Sequence, residues 1–259
     1  MTDALAAEWY KLRTVRSTWW LLAATAACLG IVLLLALQMA HVWDGLPAGR
    51  RAEFRLRPLQ ELGGWVAGLC LAVLGVVSVT SEYRTGMIRT TFTVLPGRRT
   101  VLAAKAAVVG TVALIAGEAM TIGSLLGTRL VVGDRPFPDQ RESMAQQLPG
   151  FAVSGTSVAM FALLGVALGV LLRSTAGALV AVVLLWHVVP LLVFHLPEPW
   201  NERAGSVMPG ALPRQAAGLG AGDSIYGGLL SPGAAAAAML AYALVPLGFA
   251  AFALTRRDT

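Results

Sequence analysis

The sequence predicts an all-α polytopic membrane protein. Hydrophobic residues make up 56% of its 259 residues and charged residues only 13%, and the mean hydropathy is +0.69. The apolar residues are gathered in six long stretches, each long enough to cross a hydrocarbon core about 30 Å thick, which takes about 20 helical residues. The stretches do not alternate as the strands of a membrane barrel would. Because a helix satisfies its own backbone polar groups in lipid, we predict one transmembrane domain over residues 1–259.

The six predicted spans are bounded by polar or basic segments. They cover approximately residues 19–40, 62–80, 101–127, 151–172, 175–196 and 234–254. Lys and Arg residues near span ends favour the cytoplasmic side. The predicted segments on the side of the two termini hold more Lys and Arg than the segments on the other side, by a narrow margin. The arginines at 50–57, in the first predicted outer loop, make that margin narrow. We therefore expect both termini in the cytoplasm.

The segment before the first span, residues 3–17, is mixed in character. On a helix, Leu5, Trp9 and Leu12 fall on one apolar stripe. The basic side chains beside this stripe are Lys11, Arg13 and Arg16. This pattern favours an amphipathic helix at the inner membrane surface, and the alternative is a solvated N-terminal tail.

The main inner loop, residues 81–100, joins spans two and three. It is short, polar and rooted at two span ends, and we expect a short helix from about 81 to 91, before Pro96 and Gly97. Such a segment suits contact with a partner protein. The side chains that we expect to make this contact are Glu82, Tyr83, Arg84 and Arg89. The alternative is a basic loop that contacts anionic lipid headgroups.

The longest predicted outer segment, residues 197–233, is rich in Pro and Gly and only mildly apolar. It could hold short re-entrant or interfacial helices. In the flanking spans, Pro190 and Pro246 predict kinks, because proline removes a backbone donor and crowds the preceding turn.

Two polar residues, Glu118 and His187, lie near the middle of predicted spans three and five. Ionisable groups in hydrocarbon are costly and usually face a cavity or each other. Glu118 could therefore line a transport path and attract a cationic substrate, and His187 could share that path. The alternatives are a protonated Glu118 hydrogen-bonded to a neighbouring helix and a neutral His187 packed between helices.

Motifs for catalysis are missing from the sequence. It contains no G-x-x-x-x-G-K-[ST] phosphate loop, no H-E-x-x-H and no G-x-S-x-G, and its histidines show no metal-ligand spacing. We therefore expect that the chain is not an enzyme and that it carries no cofactor, no metal site and no nucleic-acid partner.

Two segments carry a resemblance to a known family. Residues 8–20 read EWYKLRTVRSTWW and residues 79–91 read VTSEYRTGMIRTT. Both resemble the membrane subunits of ABC-2 type ABC transporters from actinobacteria, at their N-terminal segment and at their first inner loop. The runs at 171–177 and at Arg256-Arg257-Asp258 are also similar to that family.

The resemblance implies the ABC-2 type permease fold, with six spans in each of two membrane subunits. It also implies an N-terminal interfacial helix and a coupling helix in the first inner loop, docked on a separate cytoplasmic ATPase. Two copies of that ATPase would hold ATP and Mg²⁺. We therefore expect the permease subunit of an exporter in a bacterial plasma membrane, working as a homodimer that moves substrate outward through the dimer interface.

Three other classes of protein remain alternatives. A secondary transporter or channel would show paired charges in its spans and an inverted repeat, and neither is evident. A membrane-embedded enzyme would need a catalytic cluster, which is missing. A non-transporting sensor or immunity subunit coupled to an ATPase would share every feature described so far.

Overall fold

The computed structural model describes residues 1–51, 59–95, 97–133, 135, 144–218 and 228–256. Its helices are α1 (Thr2–Thr14), α2 (Arg16–Gly45), α3 (Ala48–Arg51), α4 (Leu59–Thr85), α5 (Met87–Val94), α6 (Arg98–Val132), α7 (Met144–Leu172), α8 (Thr175–Val183), α9 (Val189–Phe194), α10 (Trp200–Ser206), α11 (Leu212–Ala216) and α12 (Pro232–Arg256). The described ranges contain no strand. Several residues named above lie outside the described part: residues 52–58 of the predicted first outer loop, Pro96, and the terminal Arg257 and Asp258.

Six helical segments in the described ranges are long and apolar enough to cross a membrane. They are α2, α4, α6, α7, the continuous α8–α9 segment and α12. Each overlaps one predicted span. Most of these helices extend beyond the predicted bounds, and the fifth ends at Phe194 rather than at residue 196. These helices confirm the all-α, multi-pass membrane class that the apolar stretches predict.

Helices α4 and α7 form the centre of the bundle, and α2, α8–α9 and α12 lie at its periphery. Glycines bring the two central helices together. A Cβ atom on Gly75 would lie 2.1 Å from the carbonyl oxygen of Ala162, and one on Gly165 would lie 2.2 Å from that of Ala72. Small residues at a helix crossing permit this approach and the packing that holds helices together in lipid.

Helix α1 ends earlier than the sequence predicts. It stops at Thr14, Val15 is extended, and Arg16 begins α2. One face of α1 packs against α6, with Ala4, Glu8 and Leu12 buried.

The predicted helix over 81–91 is divided differently in the structure. Residues 81–85 continue α4, and a separate helix, α5, begins at Met87. Gly86 stands between them at φ 72°, a left-handed conformation that glycine adopts without steric cost. The polar residues 81–85 therefore extend α4 and do not form the start of a separate helix.

The fifth span contains a π-helical turn, Leu184–Val188, between α8 and α9. Within it the N–H of Val189 donates to the carbonyl of Leu184. Pro190 follows directly and has no N–H to continue the α-helical pattern, which accounts for a local change of hydrogen bonding here. By contrast, α12 continues as one helix through Pro246.

The predicted outer segment holds two short helices, α10 and α11, and its residues 219–227 lie outside the described part. Two buried polar residues connect the helices to the chain that follows. Gln215 donates to the carbonyl of Ser206 (2.7 Å) and accepts from the N–H of Leu230 (2.8 Å). The hydroxyl of Ser206 accepts from the N–H of Leu229 (3.0 Å). These bonds fix the entry into α12.

The two ends of the bundle differ. At one, which we call the α5 end, α1 and α5 meet the start of α6 and the last turn of α12, where Arg98 donates to the carbonyl of Leu254 (2.8 Å). At the opposite end, Arg135 after α6 forms a bidentate pair with Asp44 at the end of α2 (2.9 and 2.7 Å).

Candidate functional site

Four charged side chains from three helices meet at the α5 end. Glu8 and Lys11 come from α1, Glu82 from the end of α4, and Lys105 from α6. Glu8, Glu82 and Lys105 are 5%, 1% and 5% exposed. Two carboxylates and two ammonium groups balance in charge, which is the condition under which charged side chains can be buried. We call these four residues the charge network.

Each ammonium group in the charge network uses three donors. Lys105 Nζ donates to Glu8 Oε2, to Glu82 Oε1 (2.8 Å) and to the carbonyl of Ser78 (3.0 Å). Lys11 Nζ donates to Glu8 Oε1 (2.7 Å), to Glu82 Oε1 (3.0 Å) and to Thr91 Oγ1 (3.4 Å). Glu82 Oε2 is buried and accepts no hydrogen bond in the described structure. The open position in the network is therefore an acceptor.

The environment of Lys11 keeps this lysine charged. Burial by itself would lower its pKa, but the hydrogen bond to Glu8 and the charges of Glu82 and Glu8 outweigh burial and raise the pKa above its ordinary value of 10.5. Because the pKa is higher in the folded chain, the stabilisation from Lys11 is fully present below about pH 10.5. It is lost only as the pH rises through the raised value.

The charge network connects α5 to the rest of the bundle. The Lys11–Thr91 bond reaches α5 directly, and Ile88 of α5 is buried. The guanidinium of Arg98 lies 5.5 Å from the ring centre of Phe92. Helix α5 is thus held by the side chains of α1, α4 and α6 and not only by its two chain ends.

One side of α5 and the preceding turn is exposed. Arg84 and Arg89 are exposed there, and the apolar side chains of Met87 and Val94 are also uncovered (41% and 73% exposed). Exposed arginine and apolar side chains together suit contact with a protein partner.

The four residues predicted for partner contact fall in three environments. Arg84 and Arg89 are exposed, and Tyr83 is half-buried with the guanidinium of Arg173 5.3 Å from its ring centre. Glu82 is buried among Lys11 and Lys105. Its carboxylate is used inside the chain, so the exposed part of the predicted contact surface consists of the two arginines.

The residues predicted for the interfacial helix also differ in their exposure. Trp9 is half-exposed, Arg13 and Arg16 are exposed, and Lys11 points inward to the charge network. Trp19 and Trp20 follow with 58% and 75% exposure, as aromatic side chains at a membrane–water boundary often do.

Glu118 lies half-buried on α6, over a glycine of α7. A Cβ atom on Gly155 would come within 2.3 Å of Glu118 Cδ, so the absence of a side chain there makes room for the carboxyl group. No described residue forms a hydrogen bond or ion pair with the Glu118 side chain. Leu114 and Ile122, one turn to either side, are 38% and 41% exposed. The carboxyl group therefore lies on a partly uncovered face of the bundle.

His187 lies in the π-helical turn of the fifth span. Its ring centre is 4.4 Å from that of Trp65 on α4, and the neighbouring Trp186 stacks on Phe161 of α7 at 3.4 Å. In the described structure, His187 Nδ1 and Trp186 Nε1 are buried without a hydrogen-bond partner. Glu118 and His187 thus occupy separate helix contacts, one against α7 and the other against α4.

Glu8 and Lys105 are the site residues that the sequence analysis missed. Lys105 lies inside the third apolar stretch, and an ionisable residue in such a stretch is a signal for a buried partner. Nothing comparable marks Glu8, because only the packing of α1 on α6 turns it inward.

Comparison of the chain with protein-family models and with curated proteins gives no match. Among the described residues, no group of three or more His, Cys, Asp or Glu side chains could hold a metal ion.

Proposed function

We propose that this chain is the membrane-spanning permease subunit of an ATP-driven ABC-2 exporter. In this proposal it forms a homodimer that works with two copies of a separate cytoplasmic ATPase, which holds ATP and Mg²⁺. The observation that carries the proposal is the charge network, because it joins an exposed helix to the ends of two membrane spans.

A coupling element must transmit displacement without bending. A push on α5 would pass through Thr91 and Lys11 to Glu8 and Glu82, and from there to Lys105. A buried polar network whose donors are all used is stiff, since breaking any bond leaves a charge unpaired in a low-dielectric interior. Helices α1, α4, α5 and α6 would then move together when a partner pushes on α5.

The exposed side chains of α5 and of the preceding turn suit a partner surface that is both acidic and apolar. Arg84 and Arg89 would pair with carboxylates of the partner, while Met87 and Val94 would contact its apolar side chains. Complementary charge at an interface steers association and selects the partner. The resemblance of residues 79–91 to the first inner loop of ABC-2 permeases is the reason for identifying this partner as an ATPase.

The proposal also assigns the remaining features. The α5 end would face the cytoplasm of a bacterial cell, and ATPase closure would switch access to a path at the dimer interface, so that substrate moves outward. Glu118 and His187 are the side chains that we propose for this path, because both place unpartnered polar atoms within membrane spans.

Co-purification of ATP-binding polypeptides with the tagged chain from its native cells tests this proposal. Arg84→Ala and Arg89→Ala should weaken retention of the ATPase. The loss of one partner from a buried, charge-assisted pair costs about 2–5 kcal/mol, and a pair exposed at the rim costs less. Arg50→Ala is the matched control, because Arg50 is equally exposed but lies at the opposite end of the bundle. If Arg50→Ala releases the ATPase while both α5-end variants retain it, the proposal is wrong.

A further inference from the structure

The junction between α1 and α2, residues 9–20, forms a sharp bend at the α5 end, and we call it the elbow. Its single extended residue is Val15, after which Arg16 begins α2, the first of the helices that can cross a membrane. The indole N–H of Trp19 donates to the carbonyl of Arg13 (2.9 Å), which ties the start of α2 to the end of α1. The elbow is therefore a fixed surface at the level where a membrane span begins.

The exposed side chains of the elbow combine indole rings with positive charge. Trp9 and Arg13 are four residues apart on α1, and Arg16 and Trp20 are four residues apart on α2, so each arginine shares a helix face with an indole ring. Trp9 and Trp20 are 50% and 75% exposed, and both arginines are exposed. Because indole rings concentrate at the membrane–water boundary, the two guanidinium groups lie at the depth of the lipid headgroups.

No acidic side chain within the elbow offsets this charge. Residues 9–20 contain no Asp or Glu. Glu8, which comes directly before them, is buried and bound to the lysines of the charge network. Neither Arg13 nor Arg16 forms a side-chain hydrogen bond or ion pair with any described residue. Both guanidinium groups are therefore available to an external anion.

The chemistry of these side chains favours a phosphodiester. Guanidinium and indole N–H groups donate hydrogen bonds and accept none, whereas a phosphodiester supplies only acceptors, and arginine can bind two of its oxygen atoms at once. In a zwitterionic lipid the cationic part of the headgroup offsets the phosphate, so a lipid with net negative charge gains more from the arginines. A lipid suits the elbow better than an acidic protein does, because the exposed rings of Trp19 and Trp20 begin a membrane span.

We propose that the elbow binds the headgroup of an anionic phospholipid through Arg13 and Arg16, with the rings of Trp9 and Trp20 beside the glycerol backbone. This assigns α1 a preference among lipids, and not only a position at the membrane surface. Since α1 also carries Glu8 and Lys11, the bound lipid would anchor the charge network to the bilayer. The site is formed by this chain alone and depends neither on a partner ATPase nor on the side of the membrane that the α5 end faces.

Quenching of a fluorophore on the elbow by spin-labelled lipids tests this proposal. Thr14→Cys, at an exposed position, is introduced into a chain that also carries Cys28→Ala and Cys70→Ala. The chain is labelled with bimane and placed in phosphatidylcholine nanodiscs that contain phosphatidylglycerol or phosphatidylcholine with a nitroxide near the ester end of one acyl chain. Labelled phosphatidylglycerol should quench as strongly as labelled phosphatidylcholine at about fivefold lower mole fraction. That ratio corresponds to about 1 kcal/mol for one basic residue near the membrane surface.

Two changes should remove this preference. Arg13→Gln combined with Arg16→Gln should make the two labelled lipids quench equally, because both positive charges are gone. Salt at about 1 M, where the Debye length is about 3 Å, should do the same without any substitution of the arginines. A preference that survives both changes would overturn the proposal, as would equal quenching by the two lipids at low salt.

A second labelling position and a competing anion complete the test. Ala236→Cys is exposed near the start of α12, at the end of the bundle opposite α5, and there the two lipids should quench equally. A preference of the same size at Ala236→Cys would contradict a site at the elbow. Inorganic phosphate added at constant ionic strength should leave the preference at Thr14→Cys unchanged. If it abolishes the preference, the elbow binds free phosphate and the lipid proposal is wrong.

Discussion

Lys105 is the residue on which the charge network depends most. Its ammonium group contacts both carboxylates and a backbone carbonyl, and it has little exposure to water. Lys11 makes comparable bonds, but its side chain is 24% exposed. If Lys11 is removed, water can therefore solvate part of the charge on Glu8 and Glu82. If Lys105 is removed, water cannot reach the carboxylates on that side.

We predict that Lys105→Met destabilises the chain by about 3–5 kcal/mol, because it leaves Glu8 and Glu82 buried with too little positive charge. Lys11→Met should cost less. Adding Glu8→Gln to Lys105→Met should recover part of the loss, since it removes one uncompensated charge. Thermal unfolding in detergent measures these differences, with the exposed Arg16→Met as control. An unfolding temperature for Lys105→Met equal to that of the control would contradict the prediction.

Exposed charged residues at the α5 end follow the sequence pattern, whereas buried ones do not. The exposed positions of Arg84, Arg89 and Arg13 agree with what their polar context suggests. The burial of Glu82 does not follow from the sequence, because it results from α1 folding back onto α6 and from two lysines distant in the chain. Tertiary contacts of this kind leave no periodic signal.

At the scale of helices, the crossing of α4 and α7 sets the spacing of the bundle. Gly75 and Gly165 face backbone atoms of the opposite helix, which cannot move aside as a flexible side chain can. Each crossing glycine therefore acts through its lack of a Cβ atom.

We predict that Gly75→Ala and Gly165→Ala each destabilise the chain by about 1–3 kcal/mol, the usual cost of overpacking. Gly248→Ala on α12 is the matched control, because no atom lies within 4 Å of the Cβ that it adds. Thermal unfolding in the same detergent would report the difference. Equal stability of Gly75→Ala and Gly248→Ala would show that the two central helices are not in close contact.

Long apolar stretches allow the spans to be predicted well, because lipid requires about 20 apolar residues for each crossing. The ends of the helices are less predictable. The stretch from Ser81 to Thr85 is polar yet continues α4. The helix ends only at Gly86, because glycine adopts the left-handed conformation found there without steric cost. The π-helical turn before Pro190 is likewise an interruption that hydrophobicity alone does not reveal.

At the scale of the whole molecule, the two ends of the bundle have different architecture. The α5 end holds a balanced, buried charge network and the exposed Arg84 and Arg89, whereas the opposite end carries the Asp44–Arg135 pair and the short helices α10 and α11. This asymmetry is expected of a membrane subunit whose partner protein binds on one side of the membrane and displaces the spans from there.

Photo-cross-linking in intact membranes tests the central claim, that α5 docks on a cytoplasmic ATPase, most directly. A photoreactive amino acid is placed at Arg89 on α5 or, as the control, at Gly49 on α3 at the opposite end, where added atoms meet nothing within 4 Å. We predict that the Arg89 probe forms an adduct with an ATP-binding polypeptide and that the Gly49 probe does not. An adduct with the ATPase from Gly49, together with none from Arg89, would contradict both the proposed orientation and the proposed coupling.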